Sequence, residues 1–141
     1  MKGKKYFLDT NIFIYSLENN QSKKARLSRE LIATALKSGT GIISYQVVQE
    51  FLNVALSKFK KTIEIADCRS FLDTVLIPLC AILPGLELYH SAIEIRANTG
   101  YAFYDALIVA SALAGDCSVL YSEDLQHQRT IHNIEIINPF I

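Results

Sequence analysis

The sequence is poor in cysteine, and Cys68, Cys80 and Cys117 are odd in number and share no C-x-x-C spacing. That argues against a disulfide framework and against a zinc knuckle, so the three are expected to be reduced core thiols. Long apolar runs are also missing. The longest, Val75 to Leu86, is interrupted by Pro78, Pro84 and Gly85 and is too short to span a bilayer. The start, Met1-Lys2-Gly3-Lys4-Lys5, has the charge of a signal n-region, but only Tyr6-Phe7-Leu8 follow before Asp9, so no h-region forms and a cytoplasmic protein is expected. An excess of one charge is absent too: 14 basic residues face 14 acidic ones, and net charge predicts neither nucleic-acid binding nor its absence. Local clusters exist at Lys23, Lys24, Arg26 and Arg29, and at Lys58, Lys60 and Lys61. Either could meet phosphates, although a solvated helix face is their commoner meaning. No internal repeat, low-complexity tract or linker divides the chain, which is read as one domain, 1–141.

What is present is a chain of 141 residues, half of them apolar, long enough to remove roughly two-thirds of its unfolded surface from water. Short apolar runs at Tyr6–Leu8, 41–43, 80–83, 118–121 and 134–137 are predicted strands. Helical signals lie between them. Ile12 to Leu17 makes a turn or two before the polar loop at 18–21. Ser22 caps a helix with Leu27, Leu31, Ile32, Ala35 and Leu36 at helical spacing, broken by Gly39 and Gly41. Ser44 caps a second, through about Phe59, with the stripe Val47, Val48, Phe51, Leu52 and Ala55. Thr62 caps a third, carrying Cys68, Phe71, Leu72, Val75 and Leu76, which Pro78 stops. Two more run from Gly85 to about Ala97 and from Tyr104 to Ala114. Strands separated by helices imply a mostly parallel sheet of about five strands inside a three-layer α/β/α sandwich.

Ligands of a parallel α/β sheet bind at the carboxyl ends of its strands. Asp9 follows the first strand directly, and Glu123 and Asp124 follow the fourth in the same way. Asp105 lies in the first turn of a helix apolar on nearly every side. Taken alone it is read as a partner of the helix dipole or a cap, worth up to about 1 kcal/mol. Glu50 lies about 130° from the centre of its helix's apolar stripe, and alone reads as a solvated flank residue. Together the four acids Asp9, Glu50, Asp105 and Asp124 could converge. They would then raise one another's pKa values unless cations neutralised them. Such an oxygen-rich anionic pocket suits Mg²⁺ or Mn²⁺, with Thr10 and Ser122 adding hydroxyl ligands or orienting water, and it points to phosphoryl chemistry.

Four stretches carry a family resemblance: Leu8-Asp9-Thr10-Asn11-Ile12; Val48-Gln49-Glu50-Phe51; Tyr104-Asp105-Ala106-Leu107-Ile108-Val109-Ala110-Ser111-Ala112; and Tyr121-Ser122-Glu123-Asp124-Leu125-Gln126-His127. In order, spacing and total length the chain resembles PIN-domain ribonucleases of the VapC toxin type. The resemblance implies a metal-dependent endoribonuclease with Asp9, Glu50, Asp105 and Asp124 as catalytic and metal-binding acids, assisted by Thr10 and Ser122, with Glu123 a substitute for Asp124. It also implies an RNA substrate, a VapB-like antitoxin partner and a homodimer. The expected reaction is metal-assisted hydrolysis leaving 5′-phosphate and 3′-hydroxyl ends. Tyr15, Tyr45 and Arg96 are candidates for stacking on or gripping single-stranded RNA.

Two other readings compete. A strand ending in Asp-Thr also opens the phosphatases that form an aspartyl-phosphate, but Asn11 stands where such an enzyme needs its second Asp as acid/base. The other alternative is a catalytically silent binding module of the same fold, against which the intact acids argue. His127 and His132 are five apart, not at the i, i+4 spacing of a helical zinc pair, and with His90 they are read as surface or cap residues.

Overall fold

Phe7 and Leu8 have no exposed surface, and the strand that carries them lies in the interior of the sheet. A computed structural model describes residues 4–18, 21–57 and 63–141. Along the chain, β1 is Tyr6–Leu8, α1 Thr10–Ser16, α2 Lys23–Ser38, β2 Gly41–Ser44 and α3 Tyr45–Ala55. Next come α4 Ile65–Phe71, α5 Ile77–Leu79, β3 Cys80–Ile82, α6 Leu86–Thr99 and α7 Phe103–Ala114. The chain ends in β4 Val119–Tyr121, β5 Thr130–Ile131 and β6 Ile134–Ile137.

The strand order is β3-β2-β1-β4-β6-β5, parallel except for β5 against β6. The chain therefore starts in the middle, moves outward through β2 and β3, and crosses back to lay β4 on the other side of β1. The reversal makes a crevice between the carboxyl ends of β1 and β4, the place where open α/β sheets bind ligands. In register, Leu8 stands beside Tyr121, so the residues that follow, Asp9 and Ser122, leave the sheet together. Helices flank this sheet as the three-layer expectation requires, and Phe7, Phe13, Ile43, Phe51, Leu120 and Ile136 are fully buried in the core between the layers.

Local chemistry explains the boundaries. The Ser22 hydroxyl accepts from the Ala25 N–H at 3.1 Å and starts α2, and Gly39 ends it at φ 71°, a left-handed conformation that costs glycine little. A Cβ on Gly41 would stand 2.4 Å from the Ala35 side chain and 2.8 Å from the Tyr6 ring, so only glycine lets α2 and β1 close on β2 at that point.

Several expectations need correction. Among the described residues the sheet has six strands rather than about five, because the short β5 folds back on β6 through turns with Gln128, His132 and Asn133 at positive φ. α3 ends at Ala55, not near Phe59, and α1 already begins at Thr10. Ser44 precedes α3, but its hydroxyl makes no cap hydrogen bond. Pro78 does not stop its helix: α4 widens into a π-helical stretch at Leu72–Leu76, and α5 restarts with Pro78 in its first turn, where a missing N–H costs little. Cys68 and Cys117 are buried as expected, whereas Cys80 is only half-buried on the edge strand. Lys58, Lys60, Lys61, Phe59 and Thr62 lie outside the described residues, as do Asn19 and Asn20 of the 18–21 loop. Among the described residues no helix is long and apolar enough to cross a membrane.

Candidate active site

At the crevice between β1 and β4, Asp9 ends the strand in extended geometry and caps α1. One carboxylate oxygen accepts from the Thr10 N–H at 2.7 Å and the other from the Ser122 hydroxyl at 2.8 Å. Its own N–H donates to the Tyr121 carbonyl at 3.0 Å, continuing the ladder by one residue. Ser122 is fully buried and also accepts from the Asp124 N–H at 3.2 Å, so one hydroxyl ties both strand-end acids together.

The remaining acids reach the same place from helices. Thr10 donates its hydroxyl to Glu50 at 2.6 Å, Gln46 donates its amide to the other Glu50 oxygen at 3.3 Å, and Asn11 donates to Asp124 at 2.7 Å. Asp105, half-buried in the first turn of α7, makes no side-chain hydrogen bond among the described residues. Asp9, Glu50, Asp105 and Asp124 line one cleft of about 290 Å³ with Thr10, Asn11, Asn53 and Val54. The expected convergence thus appears: two acids arrive from strand ends and two from helices.

Glu123 goes elsewhere. Its carboxylate pairs with Lys24 and accepts from the Tyr15 hydroxyl, outside the cleft. Burial alone would raise the Glu123 carboxyl, but the hydrogen bonds from Lys24 and Tyr15 outweigh it and bring it below the ordinary value. Two proposed RNA contacts are engaged in structure: Tyr15 holds Glu123, and Arg96 closes α6 by donating to the Tyr101 carbonyl at 2.5 Å. His127 accepts from the Asn138 N–H at 3.0 Å, a loop contact.

Electrostatics mark the cleft as short of positive charge. The Asp9 carboxyl is pushed up to about 6, first by burial and further by Glu50 and Asp124, against the pull of its hydrogen bonds from Ser122 and Thr10. Asp105 is raised too, by burial and then by Asp124 and Glu50. Among the described residues no three His, Cys, Asp or Glu side chains close into a metal cage. The acids line an open cleft, and all but Asp105 are oriented by a neighbour's hydrogen bond. This all-oxygen donor set fits a hard divalent cation that keeps several waters and is gripped by few carboxylates.

The residues that reasoning from sequence missed are the orienting ones. From the sequence Asn11 reads only as the missing second acid of a phosphatase, and the one signal for Gln46 is its place four residues before Glu50, on the same helix face.

The family model for the PIN domain matches residues 6–132. The chain belongs to the PIN-domain family. No curated protein matches this PIN domain by sequence. Among solved structures it is similar to VapBC2 from Rickettsia felis bound to a DNA fragment from their promoter, at 26% identity and a TM-score of 0.63, covering 93% of this chain and 96% of that one. It also shares its fold with a toxin–antitoxin complex from Klebsiella pneumoniae, at 16% identity and a TM-score of 0.66, over 95% and 97% of the two chains. A third similar fold is Mycobacterium tuberculosis VapC20, a sarcin–ricin-loop-cleaving toxin, at 19% identity and a TM-score of 0.62, over 84% and 89%.

Proposed function

We propose that this PIN domain is a metal-dependent endoribonuclease and the toxin of a toxin–antitoxin pair. The observation that carries the reading is the meeting of Asp9, Glu50, Asp105 and Asp124, from four separate segments, in one cleft at the sheet's switch point. Those four side chains would hold Mg²⁺ or Mn²⁺, which when bound supplies Lewis-acid polarisation of a phosphodiester and a more acidic attacking water. The chain's own task is positioning. Ser122 and the Thr10 N–H fix both oxygens of Asp9, Thr10 and Gln46 fix Glu50, and Asn11 fixes Asp124, so the acids need little reorganisation when an RNA backbone arrives. Asp124 is the fourth acid in this reading, and Glu123 locks the loop against α1 and α2 through Tyr15 and Lys24.

The partner we infer is an antitoxin of the VapB type that covers the cleft and places a basic side chain among the carboxylates. The named toxin–antitoxin complexes among the similar structures support it. A second copy of the chain is the other inferred partner, supported by exposed Ile65, Ile77 and Leu86.

The test is cleavage of labelled single-stranded RNA with Mg²⁺ or Mn²⁺, with EDTA, and with Asp9→Asn. Cutting should need the cation and vanish in the variant. Equal cutting by wild type and Asp9→Asn would place the activity elsewhere and leave the domain a binding module.

A further inference from the structure

Behind Gln46 lies a second pocket, of about 280 Å³, that the nuclease mechanism does not use. Gln46 connects it to the acid cleft: the residue lines the pocket while its amide nitrogen donates to Glu50, which lines the cleft, at 3.3 Å and to the Tyr104 carbonyl at 3.1 Å. The volume lies just under the usual range of ligand sites, about 300–1,000 Å³, so the pocket suits a small guest such as one heterocycle.

The lining suits a flat, polar-edged aromatic guest. Tyr89 and Phe103 have ring centroids 6.0 Å apart at 54°, and Phe103 and Tyr104 are 5.3 Å apart at 70°. An edge-to-face or tilted contact covers at most one face of one ring, unlike the parallel pair Phe51 and Phe71, 4.9 Å apart at 21°, in which each ring covers a face of the other. Tyr104 is 66% exposed and Tyr45, which also lines the pocket, 45%. Two buried polar atoms on residues of the wall, the Ser44 hydroxyl and the Gln46 side-chain oxygen, have no hydrogen-bond partner. Because the Gln46 nitrogen already serves two acceptors, the amide cannot turn round, and its oxygen stays an acceptor wanting a donor.

We propose that this pocket is a nucleobase subsite: one base of a single-stranded RNA stacks against Tyr104 and Tyr89 while its backbone crosses the acid cleft on the other side of Gln46. The inference rests on the ribonuclease reading for its ligand. It adds a base-binding position next to the scissile phosphate, where unstacked RNA bases are taken up by aromatic side chains. Gln46 then borders both halves of the substrate site, orienting Glu50 with its nitrogen while its side chain lines the base pocket.

The experiment uses the full chain carrying Asp9→Asn, so that RNA stays whole. It is titrated with a fluorescent single-stranded RNA and with the same RNA made abasic at each position in turn. One abasic position is expected to weaken binding about tenfold, the size of a lost stacking contact. Tyr104→Ala should weaken intact RNA by a similar factor and erase the difference between intact and abasic RNA, whereas Tyr104→Phe, which keeps the ring, should preserve it. Indifference to abasic substitution at every position would overturn the subsite. So would a Tyr104→Ala or Tyr89→Ala variant that changes the protein's mass in light scattering while base preference is unmoved, since that assigns the face to a second copy. Cutting by the wild type that is indifferent to an abasic position sinks the subsite and leaves the nuclease; binding that needs a base at one position without any cutting does the reverse.

Discussion

Asp9 and Asp124 reach the cleft from strand ends, whereas Glu50 and Asp105 reach it from helices, and the two pairs are held by different means. The strand pair is fixed by the backbone: β1 and β4 are in register, the ladder continues through the Asp9 N–H, and buried Ser122 links both carboxyl-bearing residues. The helix pair depends on side chains, with Glu50 held by Thr10 and Gln46, and Asp105 held by no hydrogen bond among the described residues. A strand end can deliver an acid with the precision of the sheet, while a helix delivers one only as well as its packing and its neighbours allow.

The largest expected effect comes from breaking the rigid half. Asp9→Asn should reduce metal-dependent RNA cleavage to background, as should EDTA, and Asp105→Asn should do the same from the helix half. Cleavage assays on purified variants decide this, and surviving activity in Asp9→Asn would unseat the strand pair as the centre of the site. Next in size is the contrast between neighbours: Asp124→Asn should cost activity severely, while Glu123→Gln should leave cutting near wild type and lower stability by less than about 1 kcal/mol, since its partner Lys24 is solvent-exposed. Reversed outcomes would make Glu123 the fourth acid.

Ser122→Ala should weaken Mn²⁺ binding and activity by about 10- to 100-fold without touching any inferred metal ligand, because it frees both strand-end acids to turn. Calorimetric Mn²⁺ titration of the variant measures this directly. A separate effect, on stability rather than cutting, follows from the burial of Asp9. In metal-free protein the Asp9 carboxyl titrates at about 6, above its ordinary 3.8, so between those values the folded chain holds more protons than the unfolded one. Stability should therefore fall as pH rises through about 4 to 6, by on the order of 3 kcal/mol, and Asp9→Asn should flatten that slope. Urea denaturation of wild type and Asp9→Asn across this range in EDTA is the measurement, and an identical slope in the two proteins would contradict the raised Asp9 carboxyl.

How far the site could be read in advance follows the same division. Asp9 was legible because a charge directly after an apolar strand has one place to go in a parallel sheet, and the strand at 118–121 delivered its acid by the same rule. Glu50 was not legible from periodicity. The stripe of Val47, Phe51 and Ala55 faces the core, as expected, but Glu50 belongs with Asn53 and Val54 to a second face that matters only because the cleft lies over it. The choice between Asp124 and Glu123 was open as well, since adjacent residues after a strand point to opposite sides and nothing local says which side faces the other acids.

The sequence by itself determined the alternation of strands and helices, several of the caps and breaks that bound them, and the delivery of an acid to the sheet's carboxyl edge directly after the first and fourth predicted strands. These rest on short-range physics: hydrophobic period, backbone freedom and terminal hydrogen bonds act within a few residues. Only the tertiary structure decided which acids share a cleft, that Glu123 turns to Lys24 and Tyr15, that Asn11, Gln46 and Ser122 aim their neighbours, and that aromatic rings from α6 and α7 frame a pocket beside the acids. Those contacts join residues up to 113 positions apart, and their geometry is set by strand order and packing, which no local pattern encodes.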